Sequence, residues 1–64
     1  MSTNYKIRGQ QWRLLRCKEE LWRSGIPSLH NPTAGTLTLT CNNLGELKVL
    51  QDICKELQLI YEQE

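Results

Sequence analysis

Leu37, Leu39 and Cys41 alternate with Thr36, Thr38 and Thr40. This period of two predicts a strand with one apolar and one polar face. Threonine is β-branched and suits the half-exposed side of a pleated surface. A lone strand leaves its backbone groups unpaired, so Thr36–Cys41 needs a neighbour. The expected neighbour is 26–30, reached through Asn31-Pro32-Thr33-Ala34-Gly35. Asn before Pro, with Gly closing the loop, fits a type I turn that ends in a left-handed residue. Pro27 confines that first strand to an edge. The alternative partner is the same strand of a second chain.

Helical spacing flanks this hairpin. Leu14, Leu21, Cys17, Trp22 and Leu15 fall on one apolar stripe of a helix over 9–24. Gly25 suits the left-handed position after its last turn, and Pro27 stops it from continuing. Residues 1–6 are expected to fray. Leu47, Leu50, Cys54, Leu57 and Tyr61 repeat at spacings of three and four, widened by Ile53 and Ile60, and predict a second helix over 44–62. Asn43-Leu44-Gly45-Glu46 opens it with a capping-box pattern. The expected architecture is therefore α+β: one small domain over 1–64, helix–β-hairpin–helix (αββα), with two helices on a short antiparallel sheet.

Size then limits how such a fold can be stable. The chain has 64 residues, and the core must come from eleven Leu, four Ile, one Val, two Trp and two Tyr. A chain this short buries only ~60% of its unfolded surface. Small scaffolds gain stability from disulfides, a metal or oligomerisation. Cys17, Cys41 and Cys54 are odd in number and far apart in sequence, so reduced, buried thiols and a cytoplasmic setting are expected. Met1-Ser2-Thr3-Asn4-Tyr5-Lys6 has no apolar signal core. Cys17, His30, Cys41 and Cys54 lack the close ligand pairs of a metal site, and no cofactor is implied. A homodimer that shares its core answers the size problem. No apolar run approaches the ~18 residues of a membrane span.

Net charge is +1, but it conceals a split. Lys6, Arg8, Arg13, Arg16, Lys18 and Arg23 outnumber Glu19 and Glu20 in the first 25 residues. Glu46, Asp52, Glu56, Glu62 and Glu64 outnumber Lys48 and Lys55 in the rest. The basic segment could meet nucleic acid, an acidic protein surface, or the chain's own acidic helix. Trp12 falls opposite Leu14 and Leu21 among Arg8, Arg16 and Arg23. Trp and Arg are enriched where interfaces concentrate their energy. Those four residues are the candidate partner-binding set; a Trp12 packed back on the hairpin under Arg16 is the structural alternative.

No catalytic constellation stands out. His30 is the single histidine and is placed in a turn, and the four glycines are isolated rather than phosphate-binding. A water-excluding substrate pocket has little room here. The expected function is a non-enzymatic protein-interaction module with a regulatory or assembly role, without membrane contact or small-molecule substrate. A nucleic-acid binder using the same basic face is the alternative. Against it stand a pI of about 7.7 and the absence of helix-turn-helix, zinc-finger, KH or RNP patterns. Leu44-Gly45-Glu46-Leu47-Lys48, opening a capped helix after a helix and a hairpin, resembles the small head-to-tail joining proteins of tailed phages. That resemblance covers about 12–58 in element order and implies structural assembly. The Trp-containing, Arg-rich first helix departs from it.

Overall fold

The computed structural model describes residues 2–64. The elements are β1 (Thr3–Arg8), α1 (Gln11–Arg23), β2 (Ser28–Asn31), β3 (Thr36–Cys41), α2 (Leu44–Leu57) and β4 (Ile60–Gln63). All strand pairs are antiparallel, and the sheet order is β2-β3-β1-β4. Parallel strands β1 and β2 thus have β3 between them, and β3 and β4 have β1 between them. This is the split β-α-β arrangement of the ferredoxin-like topology. The fold is α+β with two helices on an antiparallel sheet, as the hydrophobic pattern indicates. The sheet is wider than a hairpin by two strands, one from each end of the chain.

Residues expected to fray instead build the sheet. Thr3, Tyr5 and Ile7 alternate with Asn4, Lys6 and Arg8 along β1, and Ile7 is fully buried. Only Met1 of the segment 1–6 lies outside the described residues. The register sets Tyr5 against Leu39 and Ile7 against Leu37. Those four side chains, with Cys41, therefore share the face that the helices cover. Thr36–Cys41 has β2 on one side and β1 on the other, so it is an interior strand and has no edge left for a second chain.

Helix ends follow local chemistry. Gly25 takes a φ of 82°, and Ile26 N–H donates to the Leu21 carbonyl at 2.9 Å, which closes α1 with a Schellman motif. Asn43 Oδ1 accepts from Glu46 N–H at 2.9 Å and caps α2. Glu46 Oε1 reaches back one residue further than the usual box, accepting from Asn42 N–H at 2.9 Å. The second helix ends at Leu57 rather than near 62, because Gln58 turns left-handed at φ 56°. Leu59 N–H then donates to the Cys54 carbonyl at 2.8 Å. The chain after this turn runs back along β1 as β4, and Tyr61 meets Tyr5 edge-to-face at 5.9 Å. Gly9 leaves room for this return: a Cβ there would meet Leu59 Cδ2, and the Leu59 side chain would have to shift.

One core joins these layers. Ile7, Leu14, Cys17, Leu21, Leu37 and Leu50 are fully buried in it. α1 lies over β2 and β3 and touches α2 along one side.

Candidate interaction surface on the first helix

Of the four expected partner-binding residues, the structure places three on one face of α1, with Trp12 in the first turn and Arg23 at the end. Trp12, Arg16 and Arg23 lie on the outward side of α1. Arg8 does not join them. It is in β1, on the sheet face away from the helices, where its Nη2 meets Glu62 Oε1 at 2.9 Å. Lys6 makes the same kind of contact with Glu64 at 3.8 Å. The basic and acidic ends of the chain thus neutralise each other across β1 and β4.

The orientation of α1 follows from what it buries. Residues on a helix are about 100° apart. Leu14, Cys17 and Leu21 form a narrow inward stripe and are the buried residues of α1. Cys17 faces α2, where its thiol neighbours that of Cys54. Arg13 Nη1 reaches the Gln58 side chain at the end of α2 at 3.4 Å. Those contacts mark the side of α1 that faces α2. Leu15 and Trp22 leave from the opposite side. They were expected in the core stripe, but Leu15 is 47% exposed and Trp22 71% exposed. The reason is position in the sheet: α1 rests over β2, the last strand, so no element covers its far side.

Trp12 crowns the helix at 61% exposure. Its Nε1 donates to Gln10 Oε1 at 2.9 Å, and the Arg13 guanidinium lies 5.2 Å from its ring centroid. Trp12 is thus held by its own turn and is not packed on the hairpin. Arg16 does not cover the ring: its Nε pairs with Glu20 at 3.4 Å. Arg23 pairs with Glu19 at 2.8 Å and Glu20 at 3.8 Å. Such exposed pairs contribute only about 0.3–0.5 kcal/mol each, so a partner's carboxylates can displace them at little cost. Trp12, Leu15, Glu19 and Trp22 repeat at spacings of three, four and three along one outward side. That spacing is the signal that separates Leu15 and Trp22 from the core, although both also adjoin the inward stripe.

Elsewhere the surface offers less. His30 belongs to β2 rather than to a turn, and its Nε2 and the Ser28 Oγ are buried without hydrogen-bond partners. An open trough of about 580 Å³ runs past Asn4, Leu29, Thr38, Thr40 and Glu46. Two of its polar groups are already engaged: Thr40 Oγ1 donates to Asn4 Oδ1 at 2.7 Å, and Glu46 accepts at the cap of α2. The thiols are closed off. The neighbouring Cys54 thiol and burial push Cys17 up, the Cys17 thiol pulls Cys54 down, and burial with the Glu46 carboxylate pushes Cys41 up. Among the described residues, no group of three or more metal-ligating side chains converges, and no helix is long and apolar enough to cross a membrane. No family model matches this chain, and neither a curated protein nor a solved structure does.

Proposed function

We propose that this chain is a small non-enzymatic protein-interaction module with a regulatory or assembly role, and that its partner docks on the outward side of α1 at Trp12, Arg16 and Arg23. The observation that carries this reading is Trp12, a large ring 61% exposed at the crown of a helix, with Arg13 against its face and Arg16 and Arg23 further along the same outward side. Exposed aromatic and Arg residues in one patch are what interface centres are made of. The arginines favour a partner with carboxylates at the rim of its docking site. Self-association into a homodimer in the cytoplasm is part of the proposal.

Nucleic-acid binding through the same face is the second reading. The open face of the sheet bears Asn4, Lys6, Arg8, Thr36, Thr38 and Thr40 on its central strands and offers there no ring on which a base could stack. That leaves α1 alone for the task. A phage-type joining role has less support, because β1 and β4 add strands at both ends of the helix–hairpin–helix order.

The test is capture from a lysate of the source cells, with wild type, Trp12→Ala and Arg16→Ala/Arg23→Ala as baits, together with titration against DNA and RNA at two salt concentrations. A protein retained by wild type and lost from both variants supports the reading. Nucleic-acid affinity that falls steeply with salt and vanishes in the same variants would replace it with the second.

A further inference from the structure

The side of α1 that faces away from α2 stands above a bare strand edge. β2 is the outermost strand, and Ser28, Leu29, His30 and Asn31 include no Lys, Arg, Asp or Glu. The other edge, β4, carries Glu62 and is followed by Glu64. Charged side chains are the usual guard of an open edge, and β2 lacks them. Three apolar side chains surround this unguarded edge. Leu15 and Trp22 project over it from the helix layer. Leu29, 70% exposed, projects from the opposite sheet face, since it pairs with Thr38 rather than with an inward residue.

We infer that the β2 edge, with Leu15 and Trp22 above it and Leu29 below it, is the surface that pairs with a second copy of this chain. A two-fold axis beside β2 sets two copies of the strand antiparallel and joins two four-stranded sheets into one. The same rotation lays α1 beside α1 of the second copy, so Leu15 and Trp22 cover their own counterparts, and it brings the two Leu29 side chains together on the other face. A lone peptide strand added to β2 would leave Leu15 and Trp22 in water; a second copy supplies strand and helix at once. The areas agree. Trp22, Leu15 and Leu29 together expose roughly 400 Å² at typical side-chain sizes. A standard dimer interface takes about 800 Å² per partner, of which roughly 450–500 Å² is apolar. Pairing through β4 would instead set Glu62 and Glu64 against their own copies.

This names the surface for the self-association proposed above, and it uses residues other than Trp12, Arg16 and Arg23. Sedimentation velocity from micromolar to several hundred micromolar protein tests it. Wild type should approach twice the 7.5 kDa chain mass. Trp22→Glu and Leu29→Lys, both at exposed sites, should each raise the dissociation constant at least about tenfold, as expected for loss of an interface anchor, with unchanged circular dichroism. Trp12→Ala should leave it unchanged. Slow amide exchange in β2 that becomes fast in Leu29→Lys would place the contact at the edge. A wild type that stays at 7.5 kDa throughout, or a dimer indifferent to both substitutions, overturns the inference. A monomeric wild type sinks self-association together with its surface, an indifferent dimer sinks the surface alone, and neither result alters the capture experiment at Trp12.

Discussion

Arg8 on β1 holds Glu62 on β4 at 2.9 Å, on the sheet face opposite the helices. This ion pair removes Arg8 from the face of Trp12, and it separates two arginine roles that the charge pattern merges. Arg8→Ala should leave partner capture intact, whereas Arg16→Ala/Arg23→Ala should abolish it. The stability cost of Arg8→Ala should be small, about 0.2–1 kcal/mol, because both partners are solvent-exposed. Urea midpoints and capture yields on the same variants check both halves.

Gln58 stands left-handed at φ 56°, where a residue with a Cβ is strained and Gly is not. Gln58→Gly should raise stability by roughly 0.5–1 kcal/mol. Loss of the long 3.4 Å contact from Arg13 subtracts little. A urea melt that moves down instead would show that the Gln58 side chain, not its backbone, dominates there.

Asn43 carries the start of α2 through one hydrogen bond to Glu46 N–H. Asn43→Ala should cost about 1 kcal/mol. A chain of this size has a small stability to begin with, so that loss should lower the melting temperature by roughly 5 °C or more. Leu50→Ala, by contrast, empties a fully buried site and should cost about 2–5 kcal/mol, enough to populate the unfolded state at room temperature.

Cys41 links stability to alkaline pH. Burial and the Glu46 carboxylate hold its thiol above the ordinary value. The unfolded chain ionises near pH 8.5, before the folded one. Stability from this group is therefore complete below about pH 8.5 and is lost as pH rises through the folded value. Cys17 acts with the same sign, and Cys54 opposes it within their pair. Cys41→Ala should flatten the alkaline fall in the urea midpoint while lowering its neutral value. An unchanged slope would assign the effect to the pair instead.

Much of this fold is legible along the chain, and the parts that are not share a cause. Thr36–Cys41 is recovered residue for residue, since alternation of Leu and Thr has no helical counterpart. Asn43 and Gly25 mark helix ends because their chemistry is local. β1 is harder, although Tyr5 and Ile7 alternate with Lys6 and Arg8. A terminal strand gains its stability from a partner thirty-four positions away, Tyr5 beside Leu39, and nothing local reports that. β4 hides inside a helical period because Leu57 and Tyr61 are four apart, and the break at Gln58 uses neither Gly nor Pro. The surface on α1 is half legible. Trp12 declares itself by lying opposite Leu14. Leu15 and Trp22 do not, because they adjoin the core stripe. Their exposure is decided by where the sheet ends under α1.

Trp12 is the proposed centre of a docking surface for another protein, and a photo-crosslinker tests that in the source cells. A benzophenone amino acid in place of Trp12 should yield, on irradiation, an adduct with a protein other than this chain. The same group in place of Lys48, on the exposed side of α2, should yield none. No adduct from position 12, or the same adducts from both positions, would contradict the account.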